Sequence, residues 1–456
     1  MSDSLATVLS AETIDQIEAS VLADLDAGRS DDAEPGINRL LRAQCRDREA
    51  ALALVRIVAA GKLPVERGLA LFEAVFAAHR EDVELLQCLG EASDQVRDID
   101  DLNLAAPDSN FFAELVECLE RRVQAASGTT EEIPLLSALA TTARMMGRQR
   151  DALAGQCYRR LIELAPQRSH HHYNLGLFCK TRGWFAEGLR ANQAAAALED
   201  EPFEGRVWNE GICATGAGEG ELALAIWQGM GQKIRMGRFG LPEGRYATCK
   251  VRLAQRPLAE RGATEDDPGL EETIWIERLS PCHGIVRSVL FQRLGVDYGD
   301  VVLVDGAPIT YHRYGEDQIP VFPHLATLQR QGYQFHDFAG TQQQPRQLAE
   351  VSEALAEDAV LYVHTEQFVR LCAVCWRSQQ ADHEQHELRE AHAVVGRIAA
   401  PPQMDPVELL RQLDQAMADR AGCQLYAPDL CEAAGLSDRA AVERRRLGMI
   451  RSAHRV

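Results

Sequence analysis

Four side chains late in the chain are of the types that bind zinc. Cys372, Cys375, His383 and His386 form a C-x2-C-x7-H-x2-H arrangement, with His392 nearby. Thiolate and imidazole pairs at i and i+3 can converge on one tetrahedral zinc, and four ligands would complete a structural site. The spacing argues against it. A zinc finger separates its pairs by about a dozen residues and holds its cysteines in a glycine-containing knuckle, whereas LCAVCW has the pattern of an apolar helix face. The expectation is two buried cysteines and solvated histidines, with no metal and no cofactor.

A nucleophile is the second possibility, in Ser280-Pro281-Cys282-His283-Gly284. A cysteine nucleophile needs a base within hydrogen-bond reach, but neighbours on a strand point to opposite faces, which places His283 poorly to activate Cys282. His324, His336 or His364 would have to approach instead. These histidines, with His312, keep open an enzyme in the 270–390 region, either a Cys/His hydrolase or a zinc-dependent one, to which the rest of the chain recruits a protein substrate. No catalytic residue is assigned. Gly216, Gly218 and Gly220 lack the lysine and Ser/Thr of a phosphate loop. From Asp438 to Val456 the tail holds six arginines against two acids. It reads as a solvated last helix, or as a segment that docks on the acidic N-terminal helices or on a partner.

The whole chain has 456 residues and a formal charge of −20, which repels nucleic acid and anionic membranes. No apolar run approaches the roughly 20 residues of a membrane span, and the acidic, amphipathic N-terminus is unlike a secretion signal. A cytoplasmic protein is expected. Only four lysines among so much alanine suggest a GC-rich bacterial genome. Twelve cysteines without an export signal do not indicate a disulfide framework. Cys45, Cys88, Cys118, Cys157, Cys179, Cys213 and Cys249 are expected as small core residues on helical stripes.

The elements that carry these residues divide the chain. From residue 11 to about 255 apolar residues recur at helical spacing, as in Leu40, Leu41, Ala51, Leu52, Leu54, Val55 and Ile57 before Gly61. Gly147, Gly183 and Gly218 follow one another at steps of 36 and 35 residues, each between two amphipathic helices. A period near 34 in helical hairpins means a solenoid. In His172 to Leu189, Leu175 and Gly176 form a close-packing pair, Gly183 a turn, and Phe185 and Glu187 follow it. Trp208 to Trp227 repeats the plan with Gly211, Gly218, Ala223 and Trp227. An earlier unit holds Leu139, Ala140, Gly147, Ala152 and Pro166. On these residues the chain resembles the tetratricopeptide repeat (TPR) family over about residues 135–232, although Gly188 stands where that family prefers alanine.

The resemblance implies that the first helix of each hairpin lines a concave groove, with Tyr173, Asn174, Leu177 and Lys180 in one unit and Trp208, Asn209 and Ile212 in the next. Relatives that clamp a C-terminal carboxylate need more donors than this, and here Leu177 and Ile212 occupy places where one would be wanted. An apolar, aromatic groove for a helix or extended peptide is expected. The implied function is a protein-interaction adaptor or scaffold, with a protein or peptide partner in the groove, a C-terminal α+β domain as effector or second binding surface, and neither nucleic acid nor membrane as ligand.

Residues 1–125 are expected to be a helical cap or degenerate repeats, and 126–255 the TPR-like repeats. The polar, Pro/Gly-punctuated stretch 256–269 reads as a linker. After it, ETIWIE (272–277) and DVVLVDGAPIT (300–310) are strand-like, with a hairpin expected at Asp305-Gly306. A helix is expected at 322–331, a strand at 333–338, a helix at 344–356 and a strand at 359–364. Residues 270–370 thus form an α+β domain, and 371–456 a helical C-terminal segment. The fold class expected is an α-helical TPR-like solenoid, a smaller α+β domain and that segment.

Overall fold

The computed structural model describes residues 9–96, 110–355, 359–372, 388–418 and 420–454. Two compact units result. The first comprises residues 1–232, 236–242 and 258–268, and the second the remainder.

In the first unit the helices are α1 (Ala11–Asp26), α2 (Ser30–Ala43), α3 (Arg48–Ala59), α4 (Val65–Ala78), α5 (Val83–Glu91), α6 (Phe111–Ala126), α7 (Glu132–Met145), α8 (Asp151–Leu164), α9 (Ser169–Lys180), α10 (Phe185–Ala196), α11 (Glu204–Gly216) and α12 (Gly220–Gly229). The starts of α1, α3 and α5 are set by short polar side chains that accept otherwise orphaned N–H groups: Ser10 from Thr13, Asp47 from Glu49 and Ala50, Asp82 from Leu85. One apolar core runs from α1 to α10.

The last six helices form three hairpins, α7/α8, α9/α10 and α11/α12. Each turns at a glycine with positive φ, namely Gly147 (77°), Gly183 (75°) and Gly218 (78°), a conformation that costs other residues free energy. Within the last hairpin, a Cβ on Gly211 would lie 2.5 Å from the Trp227 ring, so glycine is what lets these two helices touch. A buried ion pair joins successive turns. Arg182 Nε donates to both oxygens of Asp151, at 2.8 and 2.9 Å, and Arg182 Nη2 donates to the Arg144 carbonyl at 3.1 Å.

Residues 258–268, expected as linker, pack on this solenoid. The Arg148 N–H donates to Asp266 (2.8 Å), and the Arg148 side chain donates to the Leu258 carbonyl. Helical structure was expected as far as about residue 255, but it ends at Gly229. A two-stranded hairpin, β1 (Ile234–Met236) with β2 (Pro242–Gly244), follows, and Cys249 lies on a strand. Of the seven cysteines assigned to the core, Cys45 is exposed and Cys88 half-buried, while the other five are buried.

The second unit begins with a barrel. Strands β3 (Cys249–Ala254), β4 (Glu271–Arg278), β5 (His283–Val286), β6 (Val301–Val304) and β8 (Asp317–Gln329) pair in sequence, and β3 closes on β8 in parallel through Val251 and Phe322. Its core includes Val251, Ile276, Val286, Leu290, Val302 and Phe322. The hairpin expected at Asp305-Gly306 does not form. β6 pairs with β8, and β7 (Thr310–Tyr314) makes the hairpin with β8, turning after Tyr314. The helix expected at 322–331 is the second half of β8, where pairing on both sides and Pro323 override the helical spacing.

A four-stranded antiparallel sheet follows, in the order β10 (Val360–Cys372), β11 (Leu388–Ala400), β9 (Gln334–Gln342), β12 (Gln424–Tyr426). The helix expected at 344–356 is one short 3-10 segment, Ala349–Ala354. Helices α13 (Pro406–Ala418) and α14 (Pro428–Ala433) cover one face through Phe338, Leu361, Val394 and Ile398. Helix α15 (Ser437–His454) covers the other through Ala339, Val369, Leu371, Ala393 and Val395. The C-terminal segment expected to be helical thus contributes a central strand, β11. Alternate residues of β11 enter the two cores, so both of its faces are apolar and it lacks the polar alternation that marks a half-exposed strand.

Candidate functional site

The expected groove residues fall on α9 and α11, the first helices of successive hairpins, which pack side by side. Tyr173, Asn174, Leu177 and Trp208 are half-buried, whereas Lys180, Asn209 and Ile212 are buried. The structure therefore separates the set into a partly accessible group and a group beneath it. Tyr173 meets Phe203 edge-on, with ring centroids 5.4 Å apart, and Trp208 meets the fully buried Trp227 edge-on at 5.2 Å. Each of the two half-buried aromatics thus packs against a neighbouring ring.

Sequence reasoning missed Phe203. It is 55% exposed, directly precedes α11, and bridges to α9 through Tyr173. The signal was present as a large aromatic beside Pro202 in an otherwise acidic loop, EDEPFEG. Nearby charges are internally paired. Arg206 Nε donates to Glu199 at 2.7 Å, and Arg206 is also bonded to Glu210.

His283, His324 and His336 are buried, and His312 Nδ1 lies 3.2 Å from Lys250 Nζ on the barrel. A hydroxyl that sequence reasoning did not single out lies beside His283: Ser280 Oγ is 2.5 Å from His283 Nδ1, and Cys282 Sγ is 3.9 Å from Ser280 Oγ. Ser280, Cys282 and His283 are all fully buried, and burial pushes the His283 pKa down to about 4. Of the zinc arrangement, Cys372 ends β10, while Cys375, His383 and His386 lie outside the described residues. His392 Nε2 is 3.1 Å from Glu366 Oε1. Among the described residues no helix is long and apolar enough to cross a membrane.

No protein-family model matches the chain, and no curated protein does. Solved structures do. The chain is similar to the structure of MamA AMB-1, with 20% identity and a TM-score of 0.26, over 40% of this chain and 90% of that one. It is also similar to YrrB, described as a TPR protein with an unusual peptide-binding site, with 16% identity and a TM-score of 0.26, over 41% of this chain and 89% of that one. Each match covers about two-fifths of this chain.

Proposed function

We propose that the helical unit is a protein-interaction module of an adaptor or scaffold that acts in the cytoplasm. It takes a helix or extended segment of a partner protein along α9 and α11. The observation that carries this reading is the row of oriented, partly exposed aromatics Tyr173, Phe203 and Trp208 on two consecutive hairpins, with Asn174 and Leu177 beside them. Apolar rings held at fixed angles bury large area against a partner at small entropic cost, and asparagine supplies the hydrogen bonds an extended peptide backbone needs. Lys180, Asn209 and Ile212 form the layer beneath, which keeps the helices in register.

The test is an affinity pulldown from the native host with the full chain as bait, compared with Tyr173→Ala/Trp208→Ala. The expected result is a discrete partner retained by the parent and lost by the double variant while its circular dichroism is unchanged. Retention of every partner by the folded variant removes this surface from the account.

A further inference from the structure

The strand-rich unit has a cleft of about 250 Å³ where the Phe291–Arg293 loop of the barrel part meets β9, β10, β11 and the last turns of α15. Three guanidinium groups line it, Arg293, Arg397 and Arg451. Two carboxylates answer them. Asp337 accepts from Arg293 Nη2 at 3.0 Å and from Arg451 Nη2 at 2.9 Å, and Asp297 accepts from Arg397 Nη1 at 2.7 Å. Asp337 remains ionised: although burial opposes this, Arg451 and the other arginines hold its pKa below the usual carboxylate value. Among the described residues the cluster therefore has one uncompensated positive charge.

Its polar atoms are also incompletely used. Arg397 has only 8% of its side chain exposed, yet its Nε has no hydrogen-bond partner, since Asp337 Oδ1 is 3.6 Å away. His364 Nε2, in the same lining, is buried and unpartnered as well. Buried polar atoms without partners are uncommon and costly, and such a pair in one cleft marks a place where a ligand supplies the missing acceptor. The Arg397 side chain is held in place by the Leu290 carbonyl (2.8 Å) and lies 4.6 Å over the Phe335 ring. Arg293 and Arg451, on the surface side, each spend one nitrogen on Asp337 out of a fork of five N–H groups. Phe291, 45% exposed, stands edge-on to His364 at 5.5 Å and gives the cleft an apolar wall.

We propose that this cleft binds a small organic oxyanion. Its phosphate or carboxylate group is taken by the free donors of Arg293 and Arg451 together with Arg397 Nε and His364 Nε2, and its apolar part rests on Phe291. Planar guanidinium forks match oxyanion geometry, and the volume lies just under the range of drug-sized ligand sites, so the ligand is a small molecule and not a length of peptide. The site is separate from the helical-unit surface and does not depend on that reading.

Calorimetric titration of the full chain tests it, with inorganic phosphate, phenyl phosphate and benzoate as probes at constant ionic strength. Phenyl phosphate or benzoate is expected to saturate one site per chain, and the stronger of the two identifies the headgroup. Arg293→Gln/Arg451→Gln is expected to weaken binding about tenfold or more, since each lost charge-assisted hydrogen bond is worth about that factor. Both arginines are partly exposed, so this variant keeps its fold, which circular dichroism verifies. Arg313→Gln, on β7, serves as the control and should bind as the parent does. Phe291→Ala should weaken phenyl phosphate and benzoate and leave inorganic phosphate unchanged. Absence of saturable binding by all three probes, or equal affinity in the arginine double variant, overturns the proposal.

Discussion

Replacing Arg182 by methionine isolates the ion pair that ties the first repeat hairpin to the second. Arg182 has no exposed side-chain surface and Asp151 only 7%, so the pair is removed from water. The guanidinium bonds both carboxylate oxygens and the Arg144 carbonyl, and it lies 5.3 Å over the Phe178 ring. Methionine refills most of the volume but leaves a buried carboxylate without its main partner. Burial already pushes the Asp151 pKa up, with Arg182 opposing, so Arg182→Met forces Asp151 either to take up a proton or to stay charged in a poor environment. Removing one member of a buried pair costs about 3–5 kcal/mol, whereas replacing both with apolar residues is often close to neutral. With a urea slope of about 3 kcal/mol/M, Arg182→Met should lower the midpoint of the helical unit by about 1–2 M. Arg182→Met/Asp151→Leu should recover most of that loss. Trp184, edge-on to Phe178 at 5.4 Å, reports the transition by fluorescence. A single-variant shift below about 0.3 M would mean that the pair behaves like an exposed one, worth under about 1 kcal/mol, and would refute the argument. A double variant as unstable as the single one would refute it equally.

The remaining expectations follow from packing and burial. The His283 pKa is pushed down to about 4, so the unfolded chain takes up a proton that the folded barrel refuses. Its contribution is complete above pH 6.5 and is lost as pH falls toward 4, about 2 kcal/mol of it by pH 5; barrel hydrogen exchange that is equally slow at pH 7 and 5, after correction for intrinsic rates, would contradict this. Gly211→Ala drives a methyl into the Trp227 ring and should cost about 1–3 kcal/mol in urea unfolding, with Trp227 fluorescence altered in the folded state. Cys45 is exposed, whereas burial raises the Cys157, Cys179 and Cys431 pKa values to about 12. Brief alkylation of native protein, mapped by peptide mass spectrometry, should label Cys45 well ahead of those three, and equal labelling would show that they are accessible.

The helical hairpins were legible in sequence because two independent local rules agree there. Apolar residues recur at helical spacing, and glycine occurs where the turns need positive φ, at Gly147, Gly183 and Gly218. The groove positions followed from the same register. How deeply each is buried did not, because that depends on which neighbouring hairpin covers it, and so Ile212 and Tyr173 differ in exposure although both were assigned to one face. Residues such as Phe203 lie in loops, where no periodicity marks them.

Beyond residue 320 the same rule misled. A strand with one wet face alternates apolar and polar residues, but β11 is covered by α13 and α14 on one side and by α15 on the other. Its apolar residues at 393–395 and 398–400 are therefore consecutive and do not alternate with polar ones, and consecutive apolar residues are not distinguished from a buried helix by period alone. β8 fails for a related reason, since it pairs with β3, β6 and β7, and that pairing is decided by residues up to 71 positions away, as in Lys250 opposite Val321. The oxyanion cleft shares this origin. Arg293, Asp337, His364, Arg397 and Arg451 belong to five separate stretches with no motif between them, so only the fold brings them together. Where chemistry is assembled from long-range contacts, the sequence shows residue types, and the burial that leaves Arg397 Nε and His364 Nε2 without partners is what turns those types into a binding hypothesis.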